Sequence, residues 1–288
     1  MKSFLPSALE TPKLHGLLLG SIGPRPIAFA STMDADGNPN LSPYSFFNVF
    51  SANPPIMIFS PARRVRNNTT KHTLENALVT KEVVINVVNY AMVQQMSLSS
   101  TEYAAGVNEF EKAGFTMLKS DLVQPYRVKE SPVQYECKVN EIVALGKEGG
   151  AGNLIIAEVV KLHVDEAILN EDLSIDQHEI DLVARMGGNW YTRAKLGMFE
   201  VPKPLSSLGI GIDLIPAEIR NSDILSGNDL GKLGNVEKLP TTEEIKQYIE
   251  TKQLNHKIDL QNEAAKHEQA KIHLTKGQVQ EAWKILLA

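Results

Sequence analysis

Apolar and polar positions form short strand-like runs over the first two-thirds of the chain and shift to a helical period near its end. Residues 27–31 and 41–50 are apolar runs on either side of residues 34–39, where Asp36-Gly37 supplies the positive φ that a tight hairpin turn demands. Pro54-Pro55 then blocks helix and releases residues 56–59, with the length and composition of a buried strand that Ser60-Pro61 ends. Residues 24–61 thus predict a hairpin plus a third strand lining a pocket. Residues 83–88 (VVINVV) are apolar on both faces and predict a central strand.

Beyond Pro61 a basic, polar loop carrying Arg63, Arg64 and Arg66 runs into a helical pattern at Leu74, Ala77 and Leu78, with Thr70 as the expected N-cap. Residues 90–100 are a polar helical stretch, and residues 108–115 predict one short helix ended by Gly114. Two alternating runs, 133–145 and 153–164, flank the glycine-rich loop 146–152 and predict a long hairpin. Residues 202–240 are rich in Gly, Pro, Asn and Asp, whereas 241–288 are strongly helical. The expected organisation is a body at 1–201 and an extension at 202–288, loop-rich then helical, an appendage without a second core. Thr241 with Glu244, and Thr275 with Gln278, predict capping boxes. The last helix has an apolar stripe at Val279, Ala282, Trp283 and Leu286, which requires burial against the body or another subunit.

Composition narrows the function classes. An apolar fraction of 43% in 288 residues supports a sizeable core, and a net charge of −5 gives no basic excess for nucleic acid. Cys137 is the single cysteine, on the apolar face of an alternating run, so it predicts an inert core thiol and excludes disulfides and Cys-rich metal sites. Residues 1–23 hold only the apolar patch at 17–19, below signal-peptide or membrane-span length, and the expected location is the cytoplasm.

Ser31, Thr32, Ser45, Asn48 and Ser60 sit among or at the ends of apolar strands, where an unpaired polar group costs about 1 to 3 kcal/mol. A polar ligand or local backbone bonding supplies the partners. The helix N-terminus near Lys71 and Thr73, behind three arginines, is chemically a phosphate site or a solvated basic loop. Arg185 and Tyr191 bracket two glycines that imply close backbone approach or a plain turn, and His163 lies on a strand either facing a site or partly exposed. The loop at 146–152 lacks a P-loop ending, residues 209–211 lack the third glycine of a dinucleotide fingerprint, and GxSxG and HExxH do not occur. Chemistry therefore depends on a bound cofactor, and no catalytic acid, base or metal ligand is nominated.

The ordered blocks PRPIAFASTMDADGNPNLSPYSFFNVFSANPPIMIFS, KHTLENALVTKEVVINVV, FEKAGF, ESPVQYECKV and RMGGNWY resemble the flavin reductase-like FMN-binding family over residues 24–191. The resemblance implies a mainly β fold, an FMN-binding split β-barrel with peripheral short helices, and FMN at a homodimer interface. It implies Ser31 and Thr32 along the ribityl side, Ser45, Phe46, Phe47 and Asn48 along the isoalloxazine edge, and Ser60, Lys71 and Thr73 at the phosphate. Arg185 and Tyr191 would complete the pocket, from the same chain or its partner. His72 departs from the aspartate common between that lysine and threonine, which raises the question of pH-dependent phosphate binding. The implied activity is NAD(P)H-dependent reduction of flavin with onward electron transfer. The alternatives are a flavoredoxin-like FMN electron carrier without efficient NAD(P)H oxidation, and a split barrel that has lost flavin.

Overall fold

The computed structural model describes residues 1–104, 106–201, 208–256 and 258–288, which divide into two compact units, Met1–Phe199 and Glu200–Ala288. The expected boundary at residue 202 opens a stretch, 202–207, outside the described residues.

The first unit is built on strands β1 (Ala28–Met33), β2 (Pro39–Tyr44), β3 (Phe47–Ala52) and β4 (Pro55–Phe59). Helix α2 (His72–Thr80) and strand β5 (Glu82–Val87) follow; α1 (Thr11–Ser21) precedes them all. Next come α3 (Val93–Leu98), α4 (Glu109–Ala113), β6 (Met117–Leu118), β7 (Arg127–Val128), β8 (Val133–Ala144), β9 (Asn153–Val164), β10 (Val183–Arg185) and β11 (Tyr191–Arg193). Seven strands form one antiparallel sheet in the order β2-β1-β5-β8-β9-β4-β3, with β5 inside it as its apolar run predicts. The apolar run at 41–50 is two strands, broken at Ser45-Phe46, and they occupy opposite edges of the sheet. Two residues joining the two edges require the sheet to roll until those edges approach at that corner. The β1–β2 turn has Gly37 at φ +89° as the sequence predicts, with Asp34 accepting from the Asp36 and Asn38 backbone N–H groups.

Strand periodicity sends alternate β1 side chains to two cores. Ala28 and Ala30 pack with Tyr44, Phe59, Ile85 and Cys137 under Leu74 and Ala77 of α2. Ile27 and Phe29 pack with Met92, Met96 and Phe110 on the opposite face, beneath α3 and α4. Helix α4 ends at Gly114, left-handed at φ +71°, as predicted. Helix α2 corrects the expected cap: Lys71 takes the N-cap position without a side-chain bond, because the Thr70 hydroxyl donates to Glu75 instead.

The second unit contains α5 (Ala217–Arg220), α6 (Gly227–Gly234), α7 (Thr242–Lys252), α8 (Glu263–Thr275) and α9 (Val279–Leu286). It has its own core of Ile215, Ile219, Leu233, Leu274, Trp283 and Leu286, which overturns the expectation of an appendage without one. Residues 210–236 show no period because their apolar side chains sit on turns and short helices, and only the packed α8 and α9 bring them together. The stripe of α9 is buried in this core. The Thr241 box forms, but Thr275 is the last residue of α8, its hydroxyl donating to the Lys271 carbonyl, and Gln278 precedes α9 without a side-chain cap. Among the described residues no helix is long and apolar enough to cross a membrane.

Candidate functional site

The β2 residues Asn40, Ser42 and Tyr44 share one face by strand alternation, and the N-terminus of α2 brings Lys71, His72 and Thr73 to it. Together with Arg64, residues 99–103 and Glu109 they line a polar cleft. Its floor is a network of buried side chains. Tyr44 donates its hydroxyl to Thr73 Oγ1 at 2.9 Å, and Asn40 Nδ2 donates to Thr73 Oγ1 at 2.8 Å and Thr32 Oγ1 at 3.1 Å. Asn76 Nδ2, from α2, is the second donor to Thr32 Oγ1. Each threonine oxygen accepts two bonds, so each retains its own O–H proton to donate.

The cleft is cationic but not uniformly so. Burial, and then the neighbouring Arg64, push the Lys71 ammonium below the ordinary lysine range, with Glu102 pulling the other way. Lys71 Nζ lies 5.9 Å from the centre of the Tyr44 ring. Burial raises Glu109 above the usual carboxylate range against the Leu41 N–H, which donates to Oε2 at 3.1 Å, and His72. Within the first turn of α2, hydrogen bonding to the Lys71 carbonyl begins at Leu74 N–H, so the preceding amides are oriented outward in the manner of an anion site. The hydroxyl of Ser99, 2% exposed, lines the cleft without a hydrogen-bond partner.

A second group of expected residues collects at the corner between β2 and β3. Arg25, buried, donates from Nη2 to the Met186 carbonyl at 2.8 Å and from Nε to Ser45 Oγ at 3.4 Å. Its backbone pairs with Arg185 in both directions at 2.9 Å. The guanidinium of Arg185 stacks 4.7 Å from the Tyr191 ring centre. Ser60 N–H donates to the Phe46 carbonyl at 2.9 Å, tying the end of β4 to this corner, while the Ser60 hydroxyl has no partner. Phe46 is exposed with His15 edge-on to it at 6.3 Å, Phe47 packs on the inner core, and Asn48 Oδ1 accepts from the Val49 N–H. Gly187 meets the expectation of close approach: a Cβ there would stand 3.0 Å from Gly20 Cα.

The expected residues therefore fall into two groups. Lys71 and Thr73 line the cleft, with Thr32 bonded beneath them; Ser45, Phe46, Phe47, Asn48, Ser60, Arg185 and Tyr191 gather around the corner. Ser31 and Thr32, expected on one side, point to opposite faces of β1 because adjacent strand residues alternate. The buried Ser31 hydroxyl is unpartnered on the Phe29 face. Sequence reading missed Arg25, Asn40, Tyr44, Ser99, Glu102 and Glu109. Arg25 lay within the quoted PRPIAFA block, but nothing in its spacing tells of a guanidinium bridging residues 45 and 186. Residues 99–103 lie at and beyond the end of the polar stretch 90–100, and nothing in their sequence marks them as lining a cleft.

The family model described as Flavin reductase like domain matches residues 20–181. An uncharacterised protein of Aquifex aeolicus is 36% identical over 191 residues, 66% of this chain and 95% of the relative. Among solved structures, nitrilotriacetate monooxygenase component B from Bacillus cereus aligns with a TM-score of 0.66 and 29% identity over 70% of this chain and 98% of its own. A split-barrel-domain protein of Shewanella frigidimarina designated a flavin reductase aligns with a TM-score of 0.58 and 30% identity, covering 69% of this chain and 96% of that one.

Proposed function

Because the chain belongs to the flavin reductase-like family, we propose that it is an FMN-binding, NAD(P)H-dependent oxidoreductase that reduces flavin and passes the electrons onward. The rolled sheet, whose edge strands meet at Ser45-Phe46, supports reading the first unit as an FMN-binding split barrel. The observation that carries the cofactor reading is the cleft at the start of α2. There, Lys71 and Arg64, outward amides, the Thr73 hydroxyl holding its donor proton and the orphaned Ser99 hydroxyl converge on one polar volume. That donor set fits a phosphate and leaves little for a neutral ligand.

On this reading Lys71, Thr73, Arg64 and Ser99 hold the phosphate, while Ser60, expected there, stands with the corner residues. Of the two residues expected along the ribityl chain, Thr32 faces the cleft side and is kept in that role, whereas Ser31 faces the opposite core and is not; residues Ser45, Phe46, Phe47 and Asn48 border the ring, where backbone N–H groups orient it. Arg25 positions that edge by fixing Ser45 against Met186, and Arg185 with Tyr191 closes the pocket. The flavin supplies the hydride and electron chemistry; the chain binds it, orients it and stabilises negative charge next to its ring. Exposed Leu17, Leu18, Phe46, Val49, Phe50 and Trp190 on the first unit support a homodimer with this corner at the interface.

The test is an absorbance spectrum of the protein after FMN addition and desalting, followed by anaerobic NADPH and then NADH. Retained flavin that bleaches promptly is the expected result. Retained flavin that stays yellow until dithionite is added would make the protein a carrier, and failure to bind FMN at any concentration would remove the flavin reading.

A further inference from the structure

Glu102 lines the proposed phosphate cleft and pairs with two arginines, Arg64 inside the cleft, whose Nε is 3.3 Å from its Oε1, and the exposed Arg66 outside it, which meets its Oε2. Arg64 is partly buried, at 17% side-chain exposure, and is also held by the Thr69 hydroxyl and the Thr70 carbonyl. The carboxylate thus occupies the same cationic group that a ligand phosphate would require. Three residues away on the same segment, Ser99 presents a buried hydroxyl that has no partner in the protein and lines the same cleft. One segment therefore contributes an anion that competes with a phosphate and a donor that rewards it. No pattern in the sequence joins them; the cleft does.

We propose that Glu102 is the internal counter-anion of this cleft, displaced from Arg64 by the phosphate of the bound flavin, and that residues 99–102 set the preference for phosphorylated over phosphate-free flavin. The inference rests on the cleft being the phosphate site. A carboxylate carries one negative charge and a flavin phosphate nearly two, so the arginine pair is surrendered to the ligand only when the ligand brings the larger charge. Riboflavin, with a hydroxyl at that end, leaves the Glu102 pairs intact. The competition is a selectivity device: it subtracts from the binding of every phosphate-bearing ligand, while Ser99 adds to it.

The experiment titrates the full chain with FMN and with riboflavin by flavin fluorescence at fixed ionic strength, for the wild type, Glu102→Gln, Ser99→Ala and Lys71→Ala. Glu102→Gln tightens FMN by about twofold to fivefold, the scale of a half-exposed ion pair, and leaves riboflavin unchanged. Ser99→Ala weakens FMN and also leaves riboflavin unchanged. Inorganic phosphate added to the Glu102→Gln protein displaces FMN at lower concentration than from wild type. If Glu102→Gln leaves FMN unchanged or weaker while Lys71→Ala still weakens it, the cleft holds the phosphate and the counter-anion role is wrong. If none of the three variants moves FMN relative to riboflavin, the phosphate lies elsewhere and both readings fall. Since Glu102 is exposed on one side, its variant is expected to fold; an unchanged far-ultraviolet circular dichroism spectrum and melting midpoint confirm that the titrations compare native proteins.

Discussion

His163 Nε2 lies 2.6 Å from Glu136 Oε1, across the β8–β9 hairpin, and Glu136 is wholly buried. The same carboxylate accepts the Asp121 N–H at 2.9 Å and the Leu122 N–H at 2.6 Å, so it pins the segment between β6 and β7 to the sheet. Desolvation opposes its charge, but those two amides and His163 outweigh it and hold Glu136 below its ordinary value of 4.5. A group lowered on folding stabilises the native state above its unfolded value and loses that contribution as pH falls through the folded one. Native stability therefore declines with acidification below about pH 4.5 in part through Glu136. Glu136→Ala, which strands two amides and His163, costs about 3 kcal/mol in urea unfolding at pH 7. A loss under about 1 kcal/mol would show that water replaces the carboxylate.

These residues also bear on metal binding. Asp121, Glu136 and His163 offer ligand atoms within 4.8 Å of one another. Lys161 pairs with Asp121 at 2.5 Å and His163 lies 2.6 Å from Glu136, so each carboxylate of the group already has a partner in the protein.

Cys137 is fully buried, and desolvation, followed by the charge of Glu136, pushes its thiol up to about 12. The expected outcome is no reaction with a water-soluble disulfide reagent in the native protein and full reaction in denaturant. Because the folded value is raised, the unfolded chain ionises first, and this site lowers stability progressively as pH rises from about 9 to about 12. Native-state labelling at a rate close to that of a free thiol would refute the buried placement.

Residues with a strong local signal announced their place: the Gly37 hairpin, the Gly114 helix stop, the central VVINVV strand and the core thiol all follow from period, turn chemistry and apolar content. What the sequence concealed is non-local. That β2 and β3 sit at opposite edges depends on which strands pair across the sheet, and nothing in residues 41–50 states it. The core of the second unit is similarly hidden, since Ile215, Leu225 and Leu233 acquire an apolar face only when Trp283 and Leu274 arrive from much later in the chain. In the candidate site, Lys71 and Thr73 were legible from a basic loop entering a helix. Ser99, Glu102 and Glu109 were not, because a single serine or glutamate, whether in a loop or at the end of a short helix, has no spacing that marks it as lining a cleft.

The two tryptophans separate the two units spectroscopically. Trp190, in the first, is 78% exposed, whereas Trp283, in the second, is fully buried and donates from Nε1 to the Leu233 carbonyl at 3.1 Å. Iodide is expected to quench one emission component and spare a blue-shifted one. Trp283→Phe removes the spared component, and Trp283→Ala destabilises the second unit by about 3 to 5 kcal/mol in denaturant unfolding followed by circular dichroism. Equal quenching of both tryptophans would contradict the packed core of that unit.

Lys71→Ala tests the cofactor reading at its most specific point. Lys71 stands at the N-cap of α2, partly desolvated and beside Arg64, so its ammonium has few internal partners and gains from any anion that enters. Removing it deletes a charge-assisted contact of about 1.5 to 3 kcal/mol, which is about tenfold to a hundredfold in FMN affinity. The effect should shrink at high salt, because a phosphate contact in an open cleft is screened. Riboflavin affinity should stay level, since that ligand brings no charge to the position. A fluorescence titration in which FMN and riboflavin weaken together would mean that Lys71 supports the ring instead, and that the start of α2 is not where the phosphate binds.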